Sequence, residues 1–211
     1  MPGAGQPAIL GRMIVGVTGF FASGKDTAAE FLVSRQGFAH VSLSDMIRRR
    51  LRDEGREISL PNLTETGNAM RRERGPGALA EMALDVIAPG ADVVVTSIRH
   101  PAEVEALRRS GQFVLLFVDA PIETRYQRSL ARNRAGDFDS FEAFKTAEEQ
   151  QMRSPDSHAQ RLAECRDMAD EVIVNDGSIA VFEQRVAQVV EQARQRQSSH
   201  PKGSQTCPPH P

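Results

Sequence analysis

The chain has 211 residues, a length that fits one folded domain with a full hydrophobic core. Its hydrophobic content of 40%, charged content of 26% and net charge of −2 give no strong attraction to nucleic acid or to an anionic membrane. No apolar run has membrane-spanning length, and two cysteines do not make a disulfide framework. Residues 1–12 lack the apolar segment of a signal peptide, so we expect a cytoplasmic protein without a nucleic-acid or membrane partner.

The first predicted elements are a strand over residues 13–18 and a helix over residues 25–36. The loop between them has the spacing Gly-x-x-x-x-Gly-Lys of a phosphate-binding P-loop. Its glycines let successive backbone N–H groups turn towards an anion, and the helix adds the positive end of its dipole. We therefore expect ATP to bind here, with the lysine on its β- and γ-phosphates. The predicted contacts are Gly19, Phe20, Phe21, Ala22, Ser23, Gly24, Lys25, Asp26 and Thr27.

The residue after the P-loop lysine departs from the usual motif. A serine or threonine hydroxyl normally meets Mg²⁺ at this position, but the chain has Asp26, followed by Thr27. A carboxylate can hold the metal directly or through water, and a small shift of register would bring in the threonine instead. The sequence predicts a Mg²⁺ site and leaves open which of the two residues serves it.

Strand-like and helix-like segments alternate through the rest of the chain. This alternation predicts an α/β three-layer sandwich, in which helices cover both faces of a five-stranded parallel sheet. We expect a single domain over residues 13–196, with flexible tails at 1–12 and 197–211. After the first helix, the predicted strands are 38–43, 92–97, 113–119 and 171–175, and the predicted helical segments are 45–55, 64–88 (one or two helices), 101–110, 121–134, 140–165 and 178–196.

Charged residues follow the predicted strands, and ligands bind at the carboxyl ends of strands in sheets of this kind. Asp45 comes after the second strand, at the start of a helix that carries Arg48. Arg48 suits an acceptor phosphate, although a solvated basic face is an equal alternative. Arg99 comes directly after the third strand, where a substrate phosphate is a better explanation than a salt bridge at the sheet edge. Ser97 stands where many P-loop enzymes carry an acid for the water shell of the metal.

An arginine-rich helix follows the fourth strand. Arg125, Arg128 and Arg132 recur every three or four residues and therefore share one helical face. The polar loop 135–139 comes next. Phosphoryl transfer needs positive charge around the moving group and exclusion of water, so we expect a lid at about 125–160 that closes on ATP. An exposed, charge-laced helix is the alternative.

The last predicted site lies after the fifth strand, at Val174-Asn175-Asp176-Gly177. Asp176 is predicted to lie beside the bound nucleotide. The alternative is a simple turn and helix cap before the final helix.

Together these segments resemble the nucleoside-monophosphate-kinase-like branch of P-loop proteins. Their order looks most like dephospho-CoA-kinase-related proteins of archaea. The Gly-Lys-Asp-Thr loop and Ile98-Arg99-His100-Pro101-Ala102-Glu103 look like deoxynucleoside monophosphate kinases. The resemblance covers about residues 13–195. It implies use of ATP and Mg²⁺, contacts to an acceptor phosphate by Arg48 and Arg99, and lid contacts by Arg128 and Arg132.

The leading hypothesis is an ATP-dependent kinase for a small phosphorylated acceptor, in particular a (deoxy)nucleoside monophosphate. Its candidate catalytic residues are Lys25, Asp45, Arg99, Arg128 and Arg132. Positioning and charge suffice when a phosphate oxygen attacks. Dephospho-CoA kinase is a close alternative, in which a hydroxyl attacks and a base such as Asp45 matters more. An alternative of another class is a regulatory ATP-binding protein without a small-molecule acceptor, which Ser97 favours. The sequence does not indicate the oligomeric state.

Overall fold

The structure is a computed structural model that describes residues 13–132, 138, 140–152 and 156–198, with side chains described as far as residue 196. The predicted tail 1–12, nearly all of the tail 197–211 and most of the predicted loop 135–139 lie outside these residues. Within them, no helix is long and apolar enough to cross a bilayer.

Five strands alternate with helices along the described chain, and most boundaries fall within two residues of the sequence prediction. The elements are β1 (Met13–Gly19), α1 (Lys25–Gln36), β2 (Ala39–Ser42), α2 (Leu43–Asp53), α3 (Leu60–Arg74), α4 (Ala78–Val86), β3 (Val93–Thr96), α5 (Pro101–Arg109), β4 (Gln112–Asp119), α6 (Ile122–Arg132), α7 (Phe141–Met152), α8 (Leu162–Asp167), β5 (Glu171–Val174) and α9 (Ile179–Ser198).

The strands form one parallel sheet in the order β2-β3-β1-β4-β5. The predicted five-stranded α/β fold is thus confirmed. The strand that leads into the P-loop lies at the centre, where β3 and β4 flank it and all its residues are buried. Because all strands are parallel, their carboxyl ends meet at one edge, and the loops that carry the candidate residues meet there.

Both faces of the sheet are covered by helices, as the run of β-branched residues in β3 indicates. Successive residues of a strand point to opposite faces. Ile14 accordingly packs into a cluster with residues of α2, α4 and α5, whereas Met13, Val15 and Val17 pack with residues of α1 and α9.

Two long predicted helical segments are divided. The segment 64–88 is split into α3 and α4 at Gly75, whose positive φ of 99° favours glycine and departs from helical geometry. The predicted helix 140–165 is α7 and α8, and between them residues 156–161 run irregularly. The main chain of this stretch bonds to the segment after β3, because the Arg161 N–H donates to the Arg99 carbonyl at 2.9 Å.

Candidate functional site

The predicted P-loop connects the central strand β1 to α1. Gly19 and Gly24 have φ values of 140° and 109°, which favour glycine. A Cβ on Gly19 would lie 2.0 Å from the Val118 carbonyl oxygen, so no other side chain fits there. Ala22 also has a positive φ, 51°. The loop therefore bends tightly against β4 and ends at the helix N-terminus, a backbone shape suited to an anion.

Lys25 folds back over this loop, and its Nζ donates a hydrogen bond to the Phe20 carbonyl. Burial and the positive charge of Arg99 hold the pKa of Lys25 well below its usual value, and Arg132 and Arg125 lower it further. Asp26 is the acidic neighbour that raises it. The site therefore concentrates positive charge, which a bound polyphosphate would compensate.

The two candidate metal ligands lie in the first turn of α1. The carboxylate of Asp26 is exposed and lies 3.6 Å from the guanidinium of Arg132, and Thr27 is partly buried next to it. Carboxylate and hydroxyl oxygens are the donors that Mg²⁺ takes beside phosphates and water. In the described part of the chain, no cluster of three His, Cys, Asp or Glu side chains could hold a metal by itself. The donors present are thus one carboxylate and one hydroxyl, which are ligand types that suit Mg²⁺.

Arg99 lies at the carboxyl end of β3, next to the strand that leads into the P-loop. The segment that follows β3 is tied to β1, because the Thr18 hydroxyl of β1 donates to the Ile98 carbonyl at 2.7 Å. The guanidinium of Arg99 is partly buried and donates to the same carbonyl at 3.1 Å. Burial lowers the pKa of Arg99. Among the described residues no carboxylate forms a salt bridge with its side chain, although the charges of Glu103 and Asp26 act on it from nearby.

Glu103 contacts the main chain of Arg99 and pairs with the side chain of Arg71. One carboxylate oxygen accepts hydrogen bonds from Nε and Nη2 of Arg71 at 2.9 and 2.8 Å, and the other accepts the N–H groups of Arg99 and His100 at 2.8 and 3.1 Å. The Arg71 and Glu103 side chains are 3% and 0% exposed. This buried pair of α3 and α5 fixes the main chain that carries Arg99.

His100 is the N-cap of α5 and is buried. Its Nδ1 accepts the N–H of Ala102 at 3.1 Å, so the proton lies on Nε2, which donates to the Ser157 carbonyl at 2.8 Å. Burial lowers the pKa of His100. The side chain therefore has a structural role as a neutral cap of α5.

Ser97 belongs to a group of hydroxyls at the carboxyl ends of β2 and β3. Its Oγ lies 3.0 Å from that of Ser42 and 3.3 Å from that of Ser44. Its φ of 63° is left-handed. In place of the usual acid, the protein thus has three neutral hydroxyls that can orient water or a polar ligand.

Asp45 lies in the first turn of α2, which begins two residues earlier than the predicted helix. Its side chain is 60% exposed and accepts a hydrogen bond from Arg48 at 3.0 Å, and Arg48 also donates to the Ser44 hydroxyl. Asp45 and Arg48 therefore form a polar pair in the first turns of α2, and the carboxylate is not enclosed there.

The three arginines of α6 have different partners. Arg125 is buried: its Nη2 donates to Glu148 of α7 at 2.9 Å, and its guanidinium lies 4.5 Å from the Phe20 ring centre. Arg128 donates to the Asn175 carbonyl at 3.1 Å, and its other amino group, Nη1, is buried without a partner among the described residues. Arg132 reaches Asp26 of the P-loop helix. The helix therefore lies against the phosphate loop.

Asp176 lies after β5, as the sequence predicts, but its side chain is exposed and 3.7 Å from Arg185. The preceding residue, Asn175, contacts the P-loop: its Nδ2 donates to the Ser23 carbonyl at 2.9 Å.

The structure brings Lys25, Asp26, Arg99 and Arg132 together around the P-loop. Asp45 instead pairs with Arg48 on α2, and the Asp176 side chain pairs with Arg185. The sequence marks the turn that contains Asn175 but predicts the nucleotide contact for Asp176, whereas the P-loop contact is made by Asn175. Arg71 meets Glu103 from a helix that carries no motif, so the sequence indicates no role for it.

Comparisons with known proteins identify the family of the chain and the class of its fold. A family described as "AAA domain" matches residues 14–157, which is more than half of the chain. A UPF0200 protein of Pyrobaculum aerophilum is 34% identical over 183 residues, covering 86% of this chain and 98% of the relative. The chain therefore belongs to the AAA-domain P-loop proteins and, among the curated relatives, to the UPF0200 family.

A UPF0200/UPF0201 protein of Archaeoglobus fulgidus is 29% identical over 189 residues, and the chain spans only 56% of its length. Among solved structures, shikimate kinase from Acinetobacter baumannii, in complex with shikimate, superposes with a TM-score of 0.56. At 14% identity this covers 88% of our chain and 96% of that enzyme. This likeness establishes a P-loop kinase-like fold, which is the coarser part of the resemblance inferred from sequence.

Proposed function

We propose that the protein is an ATP-dependent phosphotransferase whose acceptor is a small phosphorylated molecule, in particular a (deoxy)nucleoside monophosphate. The observation that carries this proposal is Arg99. Its partly buried guanidinium follows β3, the neighbour of the strand that leads into the P-loop, and no described carboxylate forms a salt bridge with it. Its positive charge is one cause of the lowered pKa of Lys25. Two neighbouring cations in a partly desolvated site are stabilised when anions bind between them. ATP supplies one set of phosphates, and the acceptor supplies the other.

The nearby side chains support a phosphate oxygen as the nucleophile. A hydroxyl acceptor needs a base within hydrogen-bond reach, whereas a phosphate oxygen is already anionic at neutral pH. The carboxylates near the site have other partners: Glu103 accepts four hydrogen bonds, Asp45 pairs with Arg48, and Asp26 lies by Arg132. These contacts favour an acceptor whose phosphate oxygen attacks over dephospho-CoA, whose ribose hydroxyl would attack.

In this mechanism the protein positions two anions and compensates the charge that moves between them. The P-loop N–H groups and Lys25 hold the ATP phosphates, Arg99 and Arg48 hold the acceptor phosphate, and Arg128 and Arg132 approach from the lid. Bound Mg²⁺ would neutralise phosphate charge, with Asp26 and Thr27 as its protein ligands. Closure of the lid, which consists of about residues 125–160, excludes water.

The test is ADP production from Mg·ATP with a panel of ribo- and deoxynucleoside monophosphates, dephospho-CoA and shikimate. We expect turnover with at least one monophosphate, and we expect Lys25→Ala to reduce it by about 10²–10³-fold, the scale on which a charge-stabilising donor acts. Turnover with dephospho-CoA alone would replace the acceptor class. Tight ATP binding with slow, acceptor-independent hydrolysis would instead establish a regulatory ATP-binding protein.

A further inference from the structure

Asn175 links the end of the sheet to the phosphate loop across 152 positions of sequence. Its side-chain amide is buried and donates to the carbonyl of Ser23 at 2.9 Å. The contact is close-fitting, because a Cβ on Gly24 would lie 2.3 Å from the same amide nitrogen. Asn175 and the end of the P-loop thus constrain one another.

The hydrogen bond sets the orientation of one peptide group in the loop. The Ser23 carbonyl and the Gly24 N–H belong to the same peptide, and no cis peptide bond occurs among the described residues. In a planar trans peptide the C=O and N–H vectors point in opposite directions. When Asn175 holds the carbonyl, the Gly24 N–H therefore points away from Asn175. If the peptide rotated, a carbonyl oxygen would take the place of that donor.

Asn175 itself is held by two further contacts. Its backbone N–H donates to the Asp119 carbonyl at the end of β4 at 2.8 Å. Its own carbonyl accepts a hydrogen bond from Arg128 of α6 at 3.1 Å. The residue therefore has a fixed main chain from which its amide can brace a loop whose glycines are otherwise free to rotate.

We propose that Asn175 is a positioning residue of the nucleotide site, which keeps the Gly24 N–H turned towards the β-phosphate. It acts through the Ser23–Gly24 peptide and does not itself touch the ligand. The inference rests on the proposed function only in that the P-loop binds an adenine nucleotide. It adds a residue that the motif does not contain, 151 positions beyond Gly24.

The first measurement is ADP affinity by isothermal titration calorimetry for the native chain, Asn175→Ala and Asn175→Asp. Losing one buried hydrogen bond should weaken ADP binding by about tenfold in the alanine variant. The aspartate variant has the same shape but faces the Ser23 carbonyl with an oxygen, so we expect a loss of about 100-fold. Gln184→Ala, which removes an exposed carboxamide from α9, is the matched control and should bind ADP as the native chain does.

The second measurement is the backbone amide resonance of Gly24 in ¹⁵N-edited NMR spectra during the ADP titration. We expect a large downfield shift in the native chain and a clearly smaller one in both Asn175 variants. Native-like ADP affinity in both variants would overturn the inference. So would weaker binding with an unchanged Gly24 shift, because Asn175 would then act elsewhere, for example at the base.

Two results keep the inference separate from the kinase proposal and from a folding defect. ADP binding without acceptor-dependent turnover would remove the kinase proposal and leave the role of Asn175 intact. If neither variant folds, as judged by circular dichroism, the Gly24 amide resonance of the native chain during the ADP titration remains as the test. A Gly24 amide that does not move when ADP binds would overturn the inference.

Discussion

Two buried arginine–glutamate pairs flank the phosphate loop, one beside β3 and one beside β4. In the Arg71–Glu103 pair the side chains are 3% and 0% exposed, and in the Arg125–Glu148 pair they are 5% and 10% exposed. The similarity ends there. Glu103 also accepts two backbone N–H groups, whereas Arg125 also donates to the Ala120 carbonyl at 2.7 Å and packs on an aromatic ring of the P-loop.

This difference shows which part of the site each pair supports. Glu103 ties α3 and α5 to the main chain that carries Arg99, so it fixes the position of the candidate acceptor arginine. Glu148 ties α7 to α6, and Arg125 ties α6 to the P-loop through Phe20. We therefore expect the first pair to govern the acceptor side, and the second to govern the lid and the ATP side.

The largest effect is expected for Glu103→Gln. The change leaves the Arg71 guanidinium buried without an anion, and breaking such a pair costs about 3–5 kcal/mol of unfolding free energy. It also loosens the Arg99 backbone, so KM for the acceptor should rise more than KM for ATP. Urea unfolding and steady-state kinetics measure the two effects. Glu105→Gln, an exposed change on the same helix, is the control. Equal rises in both KM values would contradict the assignment to the acceptor side.

A smaller effect is expected for Glu148→Gln. Arg125 keeps the Ala120 carbonyl and the Phe20 ring, so we expect a loss of about 1–3 kcal/mol, the usual cost of one poorly satisfied buried partner. The kinetic change should be the opposite of that expected for Glu103→Gln, with KM for ATP raised and KM for the acceptor unaffected. Glu149→Gln is the exposed neighbour for comparison. A stability loss as large as that of Glu103→Gln would show that the backbone contacts of Glu103 add little.

The two sides also differ in how far the sequence predicts them. The P-loop is a contiguous motif, and the spacing of its glycines and lysine indicates its function. Its position between β1 and α1 is therefore predictable from the sequence alone. Arg99 was found because it follows a buried strand. The partner of Glu103 was not predictable, because Arg71 lies 32 positions away on a helix without a motif. Asn175 lies in the turn that the sequence marks after the fifth strand, but its contact with the P-loop is not predictable, since that contact forms only when β5 joins the sheet.

The smallest effect concerns Lys25, on which the two sides converge. Burial and Arg99 lower its pKa most, and Arg132 and Arg125 contribute less. A lysine with a lowered pKa loses its charge as pH rises through that pKa, and a bound polyphosphate restores the proton. ADP affinity should therefore fall as pH rises towards the usual lysine value of 10.5, by at most about tenfold per pH unit, with proton uptake on binding.

Two variants show which side dominates this effect. Arg99→Met removes the neighbouring charge that lowers the pKa of Lys25 most. It should therefore move the fall in ADP affinity to higher pH by more than Arg132→Met does. Calorimetry in buffers of different ionisation enthalpy measures the proton uptake directly. ADP alone is the probe, so the expected role of Arg99 towards the acceptor does not enter. A larger shift with Arg132→Met would contradict this expectation. It would show that the charge on α6 acts on Lys25 more strongly than the charge on Arg99 does.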